Sequence, residues 1–425
     1  MAGRRKRDRR HRRAGGCMCA LVVTALIGAA AAYAVPWAAS EFGGNLEHVF
    51  GNAIESLSRR AAEETANLAP TQEAEFPELT VTVEEVESDF YYQQIGENER
   101  TVYRELLQGV NGMEERILLH AGSGDDPAKV YEYLLYDRPE LFWCDGNSRM
   151  TVYPDYTEFY PGYSCTVEEK AQRQAQIDEA ASVCLSGIGA EASEYERIRY
   201  VYEYIVNTVD YDENAPDNQN IYSSLVGKRS VCAGYSRAAQ YLLGNLGIEC
   251  IYVVGTIENQ GAHAWNIVNC GGNYYQMDVT FADPVFYSGE SGGTIPGNVI
   301  NYDYLCCTDA EIMTDHVADS EVAYPACSMD DLNYYRMNGM YYDSFDAQIL
   351  LSAMNESIYA GEETFICKFP DSTVYAQARD AMINELFPRA AQNLAAAYGL
   401  STVQYSYVED EEHCKMMVFW NYRES

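Results

Sequence analysis

Three residues stand out for chemistry: Cys232, His263 and Asp278, in the stretch from Gly227 to Pro284. The run Ser230-Val-Cys232-Ala-Gly-Tyr-Ser opens a helical pattern in which Ala239, Leu242, Leu243 and Leu246 share one face, with Gly247 as its stop. Cys232 is thereby predicted at a helix N-terminus. There the positive end of the helix dipole favours a thiolate, and unpaired backbone N–H groups face the place where an oxyanion would form. Ile248–Gly255 reads as a β-branched strand, Ala262–Val268 as a second strand carrying His263 and Trp265, and Asn273–Val279 as a third carrying Asp278. The Gly271-Gly272 turn makes a hairpin of the last two, so positions 263 and 278 become neighbours. A nucleophile on a helix start, a base on one strand and a carboxylate on the next form a Cys-His-Asp relay. In it His263 takes the thiol proton and returns it to the leaving amine, while Asp278 fixes the tautomer and stabilises the imidazolium.

A lone cysteine at a helix start is usually a small buried hydrophobe, so the conjunction carries the reading. Of the six histidines, His11 lies in a basic tail, His48 in a linker and His120 in a turn. His316 and His413 lack an evident pairing with a carboxylate-bearing strand, which leaves His263 as the base. Trp265, two residues on, shares the strand face of His263 and serves equally well as a shield against water or as core packing.

The pattern VCAGYS…GIEC…GAHAWNIV…YYQMDVTFADP resembles the core of the transglutaminase-like superfamily, whose Cys, His and Asp fall on Cys232, His263 and Asp278. The likeness extends from about Tyr195 to Cys327. It implies a papain-like α+β fold in which a helix N-terminus bearing Cys packs on an antiparallel sheet bearing His and Asp. It also implies thiol acyl transfer on glutamine or peptide amides, with no metal or organic cofactor. The papain-type Gln six positions before the nucleophile is absent, since that position is Val226. Tyr211, Gln219 and Tyr222 are the candidates for the remaining oxyanion donor.

Around this core the chain divides readily. Residues 1–16 hold eight cations against one acid, a net of +7, as a basic cytoplasmic tail. Residues 17–39 run without a formal charge, long enough for a transmembrane helix, although Ala32-Tyr33-Ala34 also fits a signal-peptide cleavage site. The cations before this run predict a cytoplasmic N-terminus and an exported body in a cell-surface protein, either tethered or secreted. Residues 40–78 read as a stalk. Residues 79–190 read as an N-terminal α/β extension that begins with the strand-like TVTVEEV and continues in helices around Tyr103–Val110, Pro127–Tyr136 and Glu168–Leu185. The catalytic core is expected over 191–330 and a small C-terminal α+β unit over 334–425. That last unit has strands at Glu363–Phe369, Val403–Val408 and Lys415–Trp420 around a helix Val374–Tyr398 interrupted by Pro388.

Beyond residue 16 the chain carries 21 basic and 63 acidic residues, a net of −42, which disfavours nucleic acid as a partner and attracts cationic substrates. The 36 tyrosines are spread through every region, as half-buried packing would spread them. Ten cysteines remain after Cys232 and the two in the apolar run, an even number that permits disulfides; Cys250 and Cys270 read as buried thiols. Neither C-x-x-C nor zinc-ligand spacing occurs.

Three functions follow. The first is a membrane-tethered cysteine protease or amidase, a hydrolase acting on exported protein or cell-wall peptide. The second is a crosslinking transglutaminase, an acyltransferase to amines. The third is a non-catalytic surface scaffold. The sequence leaves the oligomeric state open.

Overall fold

The computed structural model describes residues 75–257, 261–283 and 300–423. The expected basic tail, the apolar run 17–39 and nearly all of the stalk lie outside them. Among the described residues no helix is long and apolar enough to cross a membrane. The described residues separate into two units, the first holding 75–88, 95–134 and 144–163, and the second holding 89–94, 135–143 and the described residues from 164 onward.

In the first unit, helix α1 (Glu97–Asn111) buries Val102, Tyr103, Leu106, Leu107 and Val110, the face that its sequence periodicity marks. Strand β1 (Ile117–Leu119), helix α2 (Pro127–Asp137), whose residues from 135 on count with the second unit, and the strands β2 (Cys144–Val152) and β3 (Thr157–Tyr163) follow, and the three strands form an antiparallel sheet in the order β1-β3-β2. The strand expected at TVTVEEV is a turn instead. The Glu85 carboxylate accepts from the Thr82 backbone N–H at 3.0 Å, and the N–H groups of Val86 and Glu87 both reach back to the Val83 carbonyl. Local side-chain capping by an acidic residue outcompetes the β propensity of the valines and threonines here.

From residue 164 the second unit continues with α3 (Val167–Leu185) and α4 (Glu194–Thr208), each opened by a capping box, Thr166 with Glu169 and Ser193 with Glu196. The N-terminal extension expected over 79–190 is thus divided, because α3 belongs with the core; its Gln176 accepts from the Tyr222 hydroxyl at 2.9 Å. A short parallel pair, β4 (Asp210–Tyr211) with β5 (Arg229–Ser230), brackets the small helix α5 (Ile221–Leu225) and leads directly into α6 (Cys232–Asn245). Gly247 ends this stretch with φ of 73°, the left-handed turn expected of it. A five-stranded antiparallel sheet follows in the order β10-β6-β7-β8-β9. Its strands are β6 (Cys250–Ile257), β7 (Gly261–Cys270), β8 (Asn273–Met277), β9 (Leu305–Cys307) and β10 (His316–Ala318). The β7–β8 hairpin turns on Gly271 and Gly272, both at positive φ, in the register Cys270↔Asn273. Mixed helix and antiparallel sheet is the α+β architecture that the sequence pattern implies.

The C-terminal part of this unit has its own apolar core. Leu350, Met354 and Ile358 of α7 (Ala347–Ala360) and Phe387 and Leu394 of α9 (Phe387–Tyr398) pack with Cys367, Met416 and Val418 of a three-stranded sheet. That sheet is ordered β11-β13-β12, from β11 (Thr364–Lys368), β12 (Tyr405–Asp410) and β13 (Lys415–Trp420). The expected interruption at Pro388 takes the form of a π-helical turn, Met382–Leu386, between α8 (Ser372–Ala381) and α9. A widened turn accommodates a proline that has no N–H to donate and whose ring would clash with the carbonyl one turn before it.

Candidate active site

Cys232 is the first residue of α6, and Val231 before it is an N-cap without a side-chain acceptor. The helices beginning at Val167, Glu194, Ile221, Ala347 and Ser372 are all capped by Thr, Ser, Asn or Asp side chains that accept from their opening amides. The amides at the start of α6 find no such acceptor in the cap, and an oxyanion formed beside Cys232 is the acceptor that would suit them. The helix is brought close to its neighbours by Gly234: a Cβ there would lie 1.9 Å from the Ser230 hydroxyl and 2.7 Å from that of Ser224.

Polar bonds fix α6 against β7. The Ser236 hydroxyl donates to the Ala264 carbonyl at 2.8 Å, and the Asn266 amide donates to the Ser236 carbonyl at 3.1 Å and to that of Ile251 at 3.3 Å. Below the start of α6, the buried Tyr235 hydroxyl donates to the Val209 carbonyl at 2.7 Å. These bonds satisfy polar groups that burial would otherwise penalise, and they set the helix start beside the residue preceding Ala264, which is His263.

His263 donates through Nε2 to Asp278 Oδ2 at 2.6 Å. Its side chain is 8% exposed and that of Asp278 is wholly enclosed, while Cys232 is half-buried. With Nε2 engaged, Nδ1 is the nitrogen left for Cys232, and a hydrogen bond between the His263 and Cys232 side chains contributes to the proton affinity of the imidazole. Burial disfavours the imidazolium, yet the charge and hydrogen bond of Asp278, joined by Cys232, outweigh it and raise the pKa of His263 to about 10. Burial likewise opposes the Asp278 carboxylate, but His263 and then a second histidine hold it well below the usual carboxylate range. Oδ1 of Asp278 accepts from the backbone N–H groups of Thr280 at 2.7 Å and Phe281 at 3.3 Å. The three predicted residues are therefore brought together in the predicted order, and each gets its place from the predicted element, apart from Asp278, which lies just past the end of β8.

The second histidine is His316, and it corrects the expectation that His316 has no carboxylate to pair with. Its Nε2 lies 3.0 Å from the same Oδ2 of Asp278, and its Nδ1 lies 2.5 Å from Asp315. Asp315 in turn accepts from the Tyr304 hydroxyl at 2.6 Å. The miss has a topological cause: β10 returns to pair with β6, in the register Ala318↔Gly255 and His316↔Ile257, across a long crossover that local pattern does not reveal. The available signal was Gly255, directly opposite His263, where a Cβ would meet the Val317 carbonyl at 2.2 Å and Trp265 at 2.8 Å. His413 also has a carboxylate partner, Asp410 at 3.0 Å, in the C-terminal part.

Of the two readings of Trp265, core packing is the one its surroundings support. It is 1% exposed, its ring stacks near that of His263 at 6.0 Å between centroids, and its Nε1 donates to Gln276 at 2.9 Å. Of the three oxyanion candidates, Tyr211 is the one in electrostatic reach of Cys232: burial first, and the Cys232 sulfur next, push its hydroxyl pKa up. The Tyr222 hydroxyl is bonded to Gln176, and Gln219 is exposed. No disulfide forms among the described residues; burial raises the thiols of Cys184 and Cys270 to about 11.

Among the described residues, two side-chain sets bring possible metal-ligand atoms within 4.8 Å of one another: His263, Asp278 and His316, and Asp303, Asp410 and His413. In the first set, Oδ2 of Asp278 already receives both imidazoles. In the second, the Lys415 ammonium contacts Asp303 and lies 3.4 Å from Asp410, so a cationic group already stands where an ion would.

Residues 183–279 match the family model described as the transglutaminase-like superfamily, a segment that contains Cys232, His263 and Asp278. Among solved structures, a TGase is similar at 14% identity over 36% of this chain and 47% of its own, with a TM-score of 0.25. A candidate cysteine protease from Cytophaga hutchinsonii is similar at 18% identity over 31% of this chain and 53% of its own, with a TM-score of 0.23. Menin, in a structure showing its binding site for Mixed Lineage Leukemia protein, is similar at 14% identity over 56% and 54%, with a TM-score of 0.22. The chain spans about half the length of each of these structures. No curated protein matches it. Residues 183–279, which hold the cysteine, the histidine and the aspartate of the site, thus form a transglutaminase-like domain within this chain.

Proposed function

We propose that this chain is an exported cysteine hydrolase that cleaves peptide or glutamine amide bonds through a thioester on Cys232. The observation that carries the proposal is the 2.6 Å bond from His263 Nε2 to the enclosed Asp278, which leaves the other ring nitrogen for Cys232 at a helix start. His263 accepts the thiol proton, the sulfur adds to the amide carbon, and the oxyanion is met by the amides opening α6 and by the Tyr211 hydroxyl. Collapse breaks the C–N bond, with the amine leaving on the proton that His263 held. Water, deprotonated by the same imidazole, then adds to the thioester and releases the acid and the thiol. Hydrolysis is preferred to crosslinking because Cys232 is half-exposed, and transfer to a lysine amine needs an acyl-enzyme guarded from water.

The substrate class is exported protein or cell-wall peptide, with cationic peptides favoured by the acidic surface, and the charge-free run 17–39 serves as membrane anchor or export signal. The test follows ammonia and new amino termini released from a glutamine-containing peptide by the full chain, with and without an added primary amine, alongside Cys232→Ala. Release that does not need the amine and is lost in the variant supports the hydrolase; release that rises steeply with the amine would make it a crosslinker. A Cys232 that alkylates no faster than a cysteine in the unfolded chain would overturn both.

A further inference from the structure

His316 is buried to 1% and touches an acid at each nitrogen, Asp278 at Nε2 and Asp315 at Nδ1. A neutral imidazole has one N–H and one lone pair, so it can satisfy one of two carboxylates and must set a lone pair against the other. Asp278 cannot supply the missing proton, because both of its oxygens already accept, from His263, Thr280 and Phe281, and the Tyr304 hydroxyl donated to Asp315 favours leaving the proton of the Asp315–His316 bond on the nitrogen. The arrangement is satisfied when both nitrogens of His316 carry protons. The titratable groups facing it are Asp278 after β8, His263 on β7, Asp315 beside it and Tyr304 before β9; Trp265 and Phe281 complete the enclosure with rings 5.0 and 5.1 Å from its own.

We propose that His316 is a positioning residue of this site: an imidazolium braced by Asp315 that keeps Asp278 ionised and aimed at His263, and that loosens the hold of Asp278 on the His263 proton. The second effect is what gives it a part in the chemistry. The proton on His263 must pass to the leaving amine, and a carboxylate shared between two cations binds each less firmly than a carboxylate devoted to one. When His263 gives up its proton, Asp278 remains compensated by His316 and is not left as a lone buried charge. The direction of the His316 pKa agrees, since burial lowers it and the two carboxylates more than reverse this.

The consequence for catalysis rests on the acyl-transfer reading of Cys232, but the first readout does not. In the full chain labelled with 13C and 15N, the ring nitrogens of His316, assigned in the unaltered protein through their couplings to its own backbone, should both be protonated at pH 7. A bare nitrogen there would overturn the proposal, and this measurement on the unaltered protein decides it even where the variant folds poorly. In the second readout, iodoacetamide labelling of Cys232 is followed against pH in the parent and in His316→Gln, which retains an N–H donor for Asp278 without the charge. The inflection that marks loss of the His263 proton, near 10 in the parent, should rise by about one pH unit in the variant. An unmoved inflection in a folded variant would show that His316 only fills space. If Cys232 is inert in the parent while His316 is doubly protonated, the acyl-transfer reading fails and the imidazolium stands.

Discussion

Two enclosed aspartates in the second unit are solved by opposite chemistry. Asp278 is surrounded by two imidazoles and two backbone amides. Asp303, equally enclosed, is surrounded by the ammonium groups of Lys368, at 3.0 Å, and Lys415. Both carboxylates are held below their usual range against the pull of burial. The next residue after Asp303, Tyr304, bonds to Asp315 on the His316 side, and its ring lies 5.6 Å from that of His413 on the other. The electrostatic problem is the same at the two sites, and the partners decide what each does. Ammonium groups keep their protons across the neutral range and can only hold the fold together. Imidazoles can give protons up, so the cluster built from them can move one to a sulfur or an amine.

The widest separation between the clusters should appear on removing the base. If Cys232 cleaves amides as proposed, His263→Ala should lower cleavage by about 10²-fold to 10⁴-fold, beyond the stability lost when the enclosed Asp278 gives up one of its two imidazole partners. Turnover and thermal melts on the same preparation check it. A loss of less than tenfold would place the base elsewhere.

The converse substitution is Lys415→Met. It leaves Asp303 and Asp410 with one cation fewer in an enclosed setting, and breaking a buried pair from one side costs about 3–5 kcal/mol. Urea unfolding should register that loss while the labelling rate of Cys232 under native conditions stays within a factor of two. Chemistry that collapses with stability would mean that the clusters are one device, joined through Tyr304. The same cluster carries a pH dependence with a definite sign. Because the pKa of Asp303 is lower folded than unfolded, its contribution is present above the ordinary carboxylate pKa of about 4 and is lost as pH falls towards the depressed value. Acid unfolding curves should therefore shift less steeply in Asp303→Asn than in the parent.

The site was legible where it is local and obscure where it is not. Cys232, His263 and Asp278 lie on a helix start and a hairpin whose boundaries follow from periodicity and from Gly247, Gly271 and Gly272, so short-range pattern was enough to bring them together. His316 lies on a strand of three residues that pairs out of sequence order, and nothing in TDHVA announces its partner. The lysines around Asp303 come from strands more than sixty residues away and look like ordinary surface charges in the sequence. The expected strand at TVTVEEV failed for a different reason, since β-branched composition says nothing about whether a neighbouring carboxylate will cap a turn.

Gly255 tests the smallest effect and the finest part of the comparison. It is the residue of β6 paired with both His263 and Ala318, and its missing side chain lets the Val317 carbonyl and Trp265 approach. In Gly255→Ala the added methyl would press on the backbone of β10, at a cost of about 1–3 kcal/mol for a strained, overfilled contact. The displaced strand is the one that carries His316, while Asp303 and its lysines are untouched. The variant should thus lose modest stability, keep the acid-unfolding behaviour set by Asp303, and shift the pH inflection of Cys232 labelling in the same direction as His316→Gln but by less. Labelling curves for the two variants measured side by side would check this. A Gly255→Ala protein with a parental inflection would mean that β10 yields at Val317 without carrying the His316 ring away from Asp278. The second imidazole would then be held by its own carboxylates and not by the strand that brings it there.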